Sequence, residues 1–125
     1  MEEIWKSIDM IDKYSSYGDV EVSNLGNCRK KYLDTYKTKR PYTNNGYKRL
    51  RIRNRVEDNV HRLVGLLFLT DDYNELKKKS TEKLIVHHII FDESKPDLKF
   101  DNQVSNLQWV TQSQHSLIHN KKSSF

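Results

Sequence analysis

The most hydrophobic stretch of the chain runs from Val60 to Leu69, and it limits what the rest of the chain can fold around. Its apolar side chains, at positions 63, 64, 66, 67 and 68, have the spacing of one broad helical stripe. Asp58 or Asn59 stands where an N-cap belongs. Only 35% of the 125 residues are hydrophobic, and the mean hydropathy is −0.88. We therefore predict that this helix forms the centre of one domain, or of two small subdomains that share a core.

The composition excludes several classes of protein. The single cysteine, Cys28, rules out an intramolecular disulfide framework and a cysteine-based zinc finger. No apolar run approaches the roughly 18 residues that a membrane span requires, and the acidic N-terminal segment lacks the apolar region of a secretion signal. Seven Tyr, four Phe and two Trp argue against a disordered chain. We expect a soluble intracellular protein without membrane contact.

Positive charge is concentrated in one third of the chain. Residues 29–62 carry twelve basic side chains against three acidic ones, whereas residues 1–28 have a net charge of −4 and residues 63–125 balance to zero. Four tyrosines are interleaved with the basic side chains, at positions 32, 36, 42 and 47. A solvated surface is the ordinary explanation of such a run. The aromatic interleaving favours contact with a nucleic acid instead.

A hairpin is predicted in the middle of this basic segment. The sequence Asn44-Asn45-Gly46 is a turn signal, and it leads into a strand over residues 47–53. The period of a strand places Leu50 and Ile52 on one face and the arginines on the other, together with Tyr47. The candidate DNA contacts are Tyr47, Arg49, Arg51 and Arg53 on this strand, Arg29, Lys30 and Lys31 before it, and His61 and Arg62 after it.

Further turns and strands are weaker predictions. We expect turns over residues 15–19 and 23–27, with a short strand over residues 20–22 between them. Residues 71–83, with three consecutive lysines, suggest a polar surface connection.

The C-terminal third holds the residues best suited to chemistry. An apolar strand over residues 84–90 is interrupted by His87 and His88, which must face opposite sides. A loop with Asn106 follows, then a second strand over residues 107–110. Thr111 and Gln114 have the spacing of a capping box, which predicts a helix through residues 115–119. The order is strand, loop, strand and helix, a ββα unit.

Three histidines of this unit, His87, His88 and His115, could act together. Two neutral imidazoles, one from a strand and one from a facing helix, can bind a divalent cation and leave positions open for phosphate oxygen and water. A third imidazole can take a proton from that water near neutral pH. Each histidine alone is more often structural, and a structural zinc site is the alternative. In that site, His87, His88, His115 and His119 would fill all coordination positions of the zinc ion.

The segments Val86–Ile89, Val104–Thr111 and Ser113–His115 resemble the HNH nuclease motif, in the form carried by phage and intron homing endonucleases. Residues 60–64 resemble the helix that precedes this motif. Residues 4–8 and 20–29 are similar to the nuclease-associated modular domain found at the N-termini of such proteins.

The resemblance implies roles for four residues. It implies His88 as the general base, His87 and His115 as metal ligands, and Asn106 as the central structural asparagine. Many relatives have Asp where His87 stands and Asn where His115 stands. Imidazoles at both places keep metal binding feasible and widen the choice of ion from Mg²⁺ toward Mn²⁺, Ni²⁺ or Zn²⁺. The spacing between His88 and Asn106 is longer than in the compact form of this motif, which suggests a loop insertion over residues 92–98.

The sequence thus predicts an α+β fold. A small N-terminal antiparallel β region and a core helix precede a C-terminal ββα-metal nuclease motif. We divide the chain into a DNA-contacting module, residues 1–45, and an HNH nuclease domain, residues 46–125. The implied function is hydrolysis of phosphodiester bonds in double-stranded DNA with one divalent ion, Mg²⁺ being the first expectation. The alternatives are a DNA-binding protein of the same fold without turnover and the structural zinc module. No protein partner is indicated, and a dimer is compatible with the sequence.

Overall fold

The computed structural model of the protein describes residues 2–89 and 101–123. Along the described ranges, seven strands come first, two helices follow, and a two-stranded hairpin and a third helix come last. The strands are β1 (Trp5–Ser7), β2 (Val20–Ser23), β3 (Cys28–Lys31), β4 (Tyr36–Lys39), β5 (Tyr42–Asn44), β6 (Tyr47–Arg53), β7 (Val56–Asn59), β8 (Leu84–His88) and β9 (Leu107–Thr111). The helices are α1 (Val60–Phe68), α2 (Thr70–Lys79) and α3 (Gln112–Ser123). The loop insertion expected over residues 92–98 lies outside the described residues.

Two antiparallel sheets form the N-terminal half. Strands β1 to β4 pair in chain order in a four-stranded sheet, and β5 to β7 form a three-stranded one. The β5–β6 turn is the predicted one, with Asn45 and Gly46 at φ of 54° and 83°. The expected faces of β6 are confirmed, since Leu50 and Ile52 are buried while Arg51 and Arg53 are exposed. The predicted boundary between the two parts of the chain, at residue 45, falls inside this hairpin. The division into a DNA-contacting module and a nuclease domain stays a prediction.

Helix α1 lies at the centre of the core, as predicted. Val60, Leu63, Val64 and Leu67 are buried in one cluster with apolar side chains from all three sheets. The helix begins directly after β7, with Asn59 at the N-cap. The helices of the described ranges include none long and apolar enough to cross a bilayer.

The polar segment after α1 lies at the surface as predicted, but its helical structure was not predicted. Residues 70–79 form helix α2, which has no buried residue. Acidic side chains occupy its first turn and three lysines its last, which complements the helix dipole. Lys79 pairs with Glu75 at 2.9 Å, and the Tyr73 ring packs 4.7 Å from the Trp109 ring. Tyr73 and Leu76 thus attach an otherwise polar helix to the core.

The C-terminal unit begins with the β8–β9 hairpin. The two strands are antiparallel, with His87 opposite Gln108 and His88 opposite Leu107. The predicted capping box is confirmed. The Thr111 amide donates to Gln114 Oε1 at 2.9 Å, and the Gln114 amide donates to Thr111 Oγ1 at 3.2 Å. Helix α3 therefore starts at once after β9.

Helix α1 touches this hairpin at Gly65. Trp109 Nε1 donates a hydrogen bond to the Gly65 carbonyl at 3.1 Å. A Cβ atom on Gly65 would lie 2.8 Å from a Val86 methyl and 3.1 Å from the Trp109 ring. The absence of a side chain at Gly65 thus allows the helix to lie directly on the sheet.

We predict that Gly65→Ala destabilises the protein, although Ala is the better helix former by about 1 kcal/mol. The added methyl group must displace a buried indole, and overpacking of this kind costs about 1–3 kcal/mol. Urea unfolding measures the change, with Asn74→Ala on the exposed face of α2 as the control that should not destabilise. A Gly65→Ala variant more stable than wild type would contradict the close packing.

Candidate active site

His87 and His115 lie together at the start of α3. Their ring centres are 5.9 Å apart, with the planes at 76°. The strand supplies one imidazole and the helix the other, because the capping box places His115 in the first turn after β9. The sequence predicted these two residues as a pair, and the structure brings them together.

The distance between the two ring centres is compatible with one divalent ion bound between them. An imidazole nitrogen binds such an ion at about 2.0–2.1 Å, which places the ring centre about 3.2 Å from the metal. Two ring centres 5.9 Å apart can therefore flank one ion. In the described part of the chain, no group of three or more His, Cys, Asp or Glu side chains is arranged to hold a metal. Water and substrate oxygens would have to complete the coordination.

His88 has a different environment from its neighbour. Its side chain is only 7% exposed, and Nε2 lies 2.7 Å from Asn102 Oδ1. The rings of His61 and Tyr47 lie 5.0 Å and 6.2 Å from it. Burial lowers the pKa of His88, against smaller opposite effects of the Asn102 hydrogen bond and the Asp101 charge. The imidazole is therefore neutral near pH 7.

His61 was a candidate DNA contact, but it lies in the interior. It is 8% exposed, its ring packs against those of Tyr47 and His88, and Nδ1 is buried with no hydrogen-bond partner among the described residues. Burial, and then the charges of His88 and Arg62, lower the pKa of His61 to about 3. A neutral buried imidazole offers no charge to a phosphate. Arg62 beside it is half-exposed and lies 3.5 Å from Asp58.

Asn106 ties the loop between β8 and β9 to the strand. Its side-chain amide donates to the Asp101 carbonyl at 2.9 Å, and its own carbonyl accepts from the Ile89 amide at 2.8 Å. The residue is buried and ends the 3₁₀ turn that leads into β9. These are the backbone hydrogen bonds expected of an asparagine in such a turn.

The arginines of β6 share a face but differ in their partners. Arg53 pairs with Asp19 at 3.0 Å, and Arg49 donates to Asn59 Oδ1 at 3.2 Å. Arg51 is exposed and lies 5.9 Å from the Tyr42 ring, without an ion pair in the described ranges. Asp19 thus neutralises Arg53 and Asn59 holds Arg49, while Arg51 remains exposed beside Tyr42.

Arg29, another candidate DNA contact, is held within its own sheet. Its guanidinium lies 4.1 Å from the Trp5 ring centre and 3.7 Å from that of Tyr36, and it pairs with Glu21 at 2.7 Å. The ring contacts stabilise the sheet, and the Glu21 carboxylate neutralises the charge. Lys30 lies 3.7 Å from Asp19, and Lys31 is exposed at the end of β3.

An open groove runs beside Arg51, between the two N-terminal sheets. We call it the basic groove. It is lined by Lys30, Tyr32, Lys37, Lys39, Arg40 and Arg51, among others. Tyr47, predicted on the same face as the arginines, also packs against the rings of His61 in α1 and His88 in β8.

Sequence reasoning gave Asn102 no role, although its amide contacts His88 directly. The signal available was its position near Asn106 in a loop between two strands. Which asparagine reaches which partner depends on the path of the loop, and local patterns do not predict that path.

A two-stranded antiparallel sheet followed at once by a helix, with one imidazole from each packed together, is a ββα unit. The chain is 34% identical over 125 residues to the uncharacterized HNH endonuclease L247 of Acanthamoeba polyphaga mimivirus, a match over 94% of this chain and 27% of that protein. It is also similar to a solved structure described as DNA binding and cleavage by the HNH homing endonuclease I-HmuI. There the TM-score is 0.62 and the identity 26%, over 100% of this chain and 61% of that one.

No profile of a known protein family matches the chain. Both matched proteins are nevertheless described as HNH endonucleases, and the ββα unit of this chain fits that description. Both comparisons support an HNH endonuclease family for this chain. It spans about a quarter of the length of the mimivirus relative.

Proposed function

We propose that the chain is a metal-dependent endonuclease that hydrolyses phosphodiester bonds in double-stranded DNA. The observation that supports the proposal is that two adjacent histidines have different environments. His87 packs against His115, and His88 is buried and neutral with Nε2 in a hydrogen bond to Asn102. The structural neighbour is described as a DNA-binding and DNA-cleaving homing endonuclease, which supports the same substrate class. A homing role belongs to the same proposal.

His88 is the proposed general base. An amide oxygen can only accept a hydrogen bond, so Nε2 of His88 carries the proton and Nδ1 keeps its lone pair. A neutral imidazole can take a proton from water as that water attacks phosphorus. The lowered pKa keeps this lone pair available at neutral pH.

His87 and His115 are the residues that would hold the divalent ion, with Mg²⁺ as the first expectation. The ion would supply charge stabilisation for the phosphate and the leaving oxygen. Asn106 ties the loop that carries Asn102 to the residue that follows β8, Ile89. The structural zinc alternative needs His88 among the ligands, but its Nε2 is bonded to Asn102 and it forms no three-ligand group with the other described histidines.

The DNA would lie along the basic groove and the exposed face of β6. Arg51, Lys37, Lys39 and Arg40 present positive charge there next to Tyr32 and Tyr42. Charge of this kind binds phosphates without regard to sequence. Residues 1–45 would act as the DNA-contacting module that the sequence predicts. We leave Arg29 and His61 out of the contact surface, because the first is sandwiched in its sheet and the second is buried.

We predict that His88→Ala removes cleavage and leaves DNA affinity within about twofold of wild type, since a base acts on water and adds little to ground-state binding. Loss of a general base costs about 10²–10⁴-fold in rate. Nicking of a supercoiled plasmid in Mg²⁺ or Mn²⁺ gives the rate, and fluorescence anisotropy gives the affinity.

Added imidazole tests the same role chemically, because it can enter the space left by the missing ring. It should restore part of the His88→Ala activity and leave wild type unchanged. Cleavage by His88→Ala within tenfold of wild type would remove His88 from the role of base.

A second prediction separates two arginines of one strand. Arg51→Gln should lower the slope of log affinity against log salt by about 0.9, the value of one phosphate contact on duplex DNA. Arg53→Gln is the matched control and should change the slope by less than about half as much, because Asp19 already neutralises this guanidinium. Anisotropy titrations at several salt concentrations on two unrelated duplexes measure both slopes. Equal slopes for Arg51→Gln and wild type would move the DNA path away from this face.

A further inference from the structure

We propose that Asn102 is a positioning residue for His88 and that the turn between β2 and β3, residues 23–27, holds Asn102 in place. The inference rests on the proposed function, since it concerns the orientation of the proposed base. It assigns to the N-terminal sheet a part in turnover that is separate from DNA contact.

The contact between Asn102 and His88 is direct and buried. The two side chains are 6% and 7% exposed, and Asn102 Oδ1 lies 2.7 Å from His88 Nε2. A neutral imidazole carries its proton on either nitrogen, and a hydrogen bond to one nitrogen decides which. Because Oδ1 accepts, the bond selects the form with the proton on Nε2 and directs the Nδ1 lone pair away from Asn102.

Asn102 differs in this respect from Asn106 in the same loop. The side-chain amide of Asn106 donates to a backbone carbonyl, that of Asp101, and thereby shapes the loop. The side chain of Asn102 instead bonds to the ring of the proposed base. A residue that only shaped the loop would not need to reach that ring.

The loop around Asn102 rests on the β2–β3 turn. The Val104 amide donates to the Asn24 carbonyl at 2.8 Å. Gly26 has φ of +84°, and a Cβ atom there would lie 2.9 Å from Asn102 Cβ and 3.1 Å from the Asn102 carbonyl carbon and oxygen. Position 26 therefore requires glycine for two reasons, the positive φ of its backbone and the close approach of Asn102.

The turn itself is anchored to the start of the chain. Asn24 Oδ1 accepts from the Ile4 amide at 2.7 Å, and Asn24 Nδ2 donates to the Glu2 carbonyl at 3.0 Å. Ser23 Oγ accepts from the Leu25 and Asn27 amides at 3.2 Å and 3.1 Å. A chain of hydrogen bonds thus leads from the residues just before β1, through the turn and Val104, to the loop that orients His88.

The kinetic test compares Asn102→Ala, which removes the acceptor, with Asn102→Asp, which keeps an oxygen at the same place. Loss of a hydrogen bond that orients a functional histidine typically costs 10–100-fold, and we expect kcat of Asn102→Ala to fall by about that factor with KM within about twofold. Asn102→Asp should recover to within about fivefold of wild type, since the hydrogen bond is retained. Gln103→Ala removes an exposed amide next in sequence and should leave kcat unchanged.

A second test works at a distance from the site. Gly26→Ala should lower kcat by about fivefold or more, because the new methyl group displaces Asn102 and the residue is strained at positive φ. Gly18→Ala is the matched control in the same module. Its Cβ would meet the carboxylate end of the Asp9 side chain, which can move away.

The spectroscopic readout needs no turnover. In metal-free protein labelled with ¹⁵N at histidine, wild type and Gly18→Ala should show His88 with the proton on Nε2. Asn102→Ala and Gly26→Ala should show a mixture of both forms or a shift toward Nδ1. A chain that cleaves no DNA under any metal would overturn the proposed function, while these spectra would still decide the role of Asn102.

Three outcomes would overturn the inference. The first is a kcat of Asn102→Ala within twofold of wild type, and the second is an unchanged His88 spectrum in that variant. The third is an Asn102→Asp protein that unfolds at the wild-type urea midpoint yet is no more active than Asn102→Ala. If neither Asn102 variant folds, Gly26→Ala decides, and wild-type kcat with a wild-type His88 spectrum in that variant contradicts the proposal.

Discussion

The contact of α1 with the β8–β9 hairpin at Gly65 determines where the rest of the site can lie. Only a residue without a side chain allows Val86 and Trp109 to approach the helix this closely. His61 is one turn earlier on the same helix face, and His88 follows Val86 on the same face of β8. The close packing of α1 on the sheet at Gly65 therefore also places the His61 ring 5.0 Å from the His88 ring.

The alternation of a strand explains how two adjacent histidines acquire different chemistry. His88 faces inward, where burial lowers its pKa and Asn102 fixes its proton. His87 faces the start of α3, where the capping box delivers His115. A one-residue slip of the hairpin register would exchange the two environments. The backbone bonds of Asn106 work against that slip, because they fix the loop at the open end of β8.

The sequence predicted the elements whose cues are local. The apolar stripe gave α1, the Asn-Gly turn gave the β5–β6 hairpin, and the spacing of Thr111 and Gln114 gave the start of α3. Helix α2 was missed because its lysines suggested a solvated segment, although the i, i+4 pair and the acidic first turn were available as cues. Partners distant in sequence were beyond such patterns. Arg53 meets Asp19 across 34 positions, and Asn102 meets His88 across 14.

The central claim is that His87 and His115 hold one ion while His88 stays out of its coordination. Calorimetric titration of Mn²⁺ into the protein bound to a short duplex tests this most directly, in a His88→Ala background that prevents cleavage. The account predicts that the background binds one ion, that His87→Ala and His115→Ala each weaken binding about tenfold or more, and that the double variant is little weaker, because the ligands act as a unit. His119→Ala serves as the control and should bind as the background does. Unchanged affinity in His115→Ala, with loss in His119→Ala instead, would contradict the account.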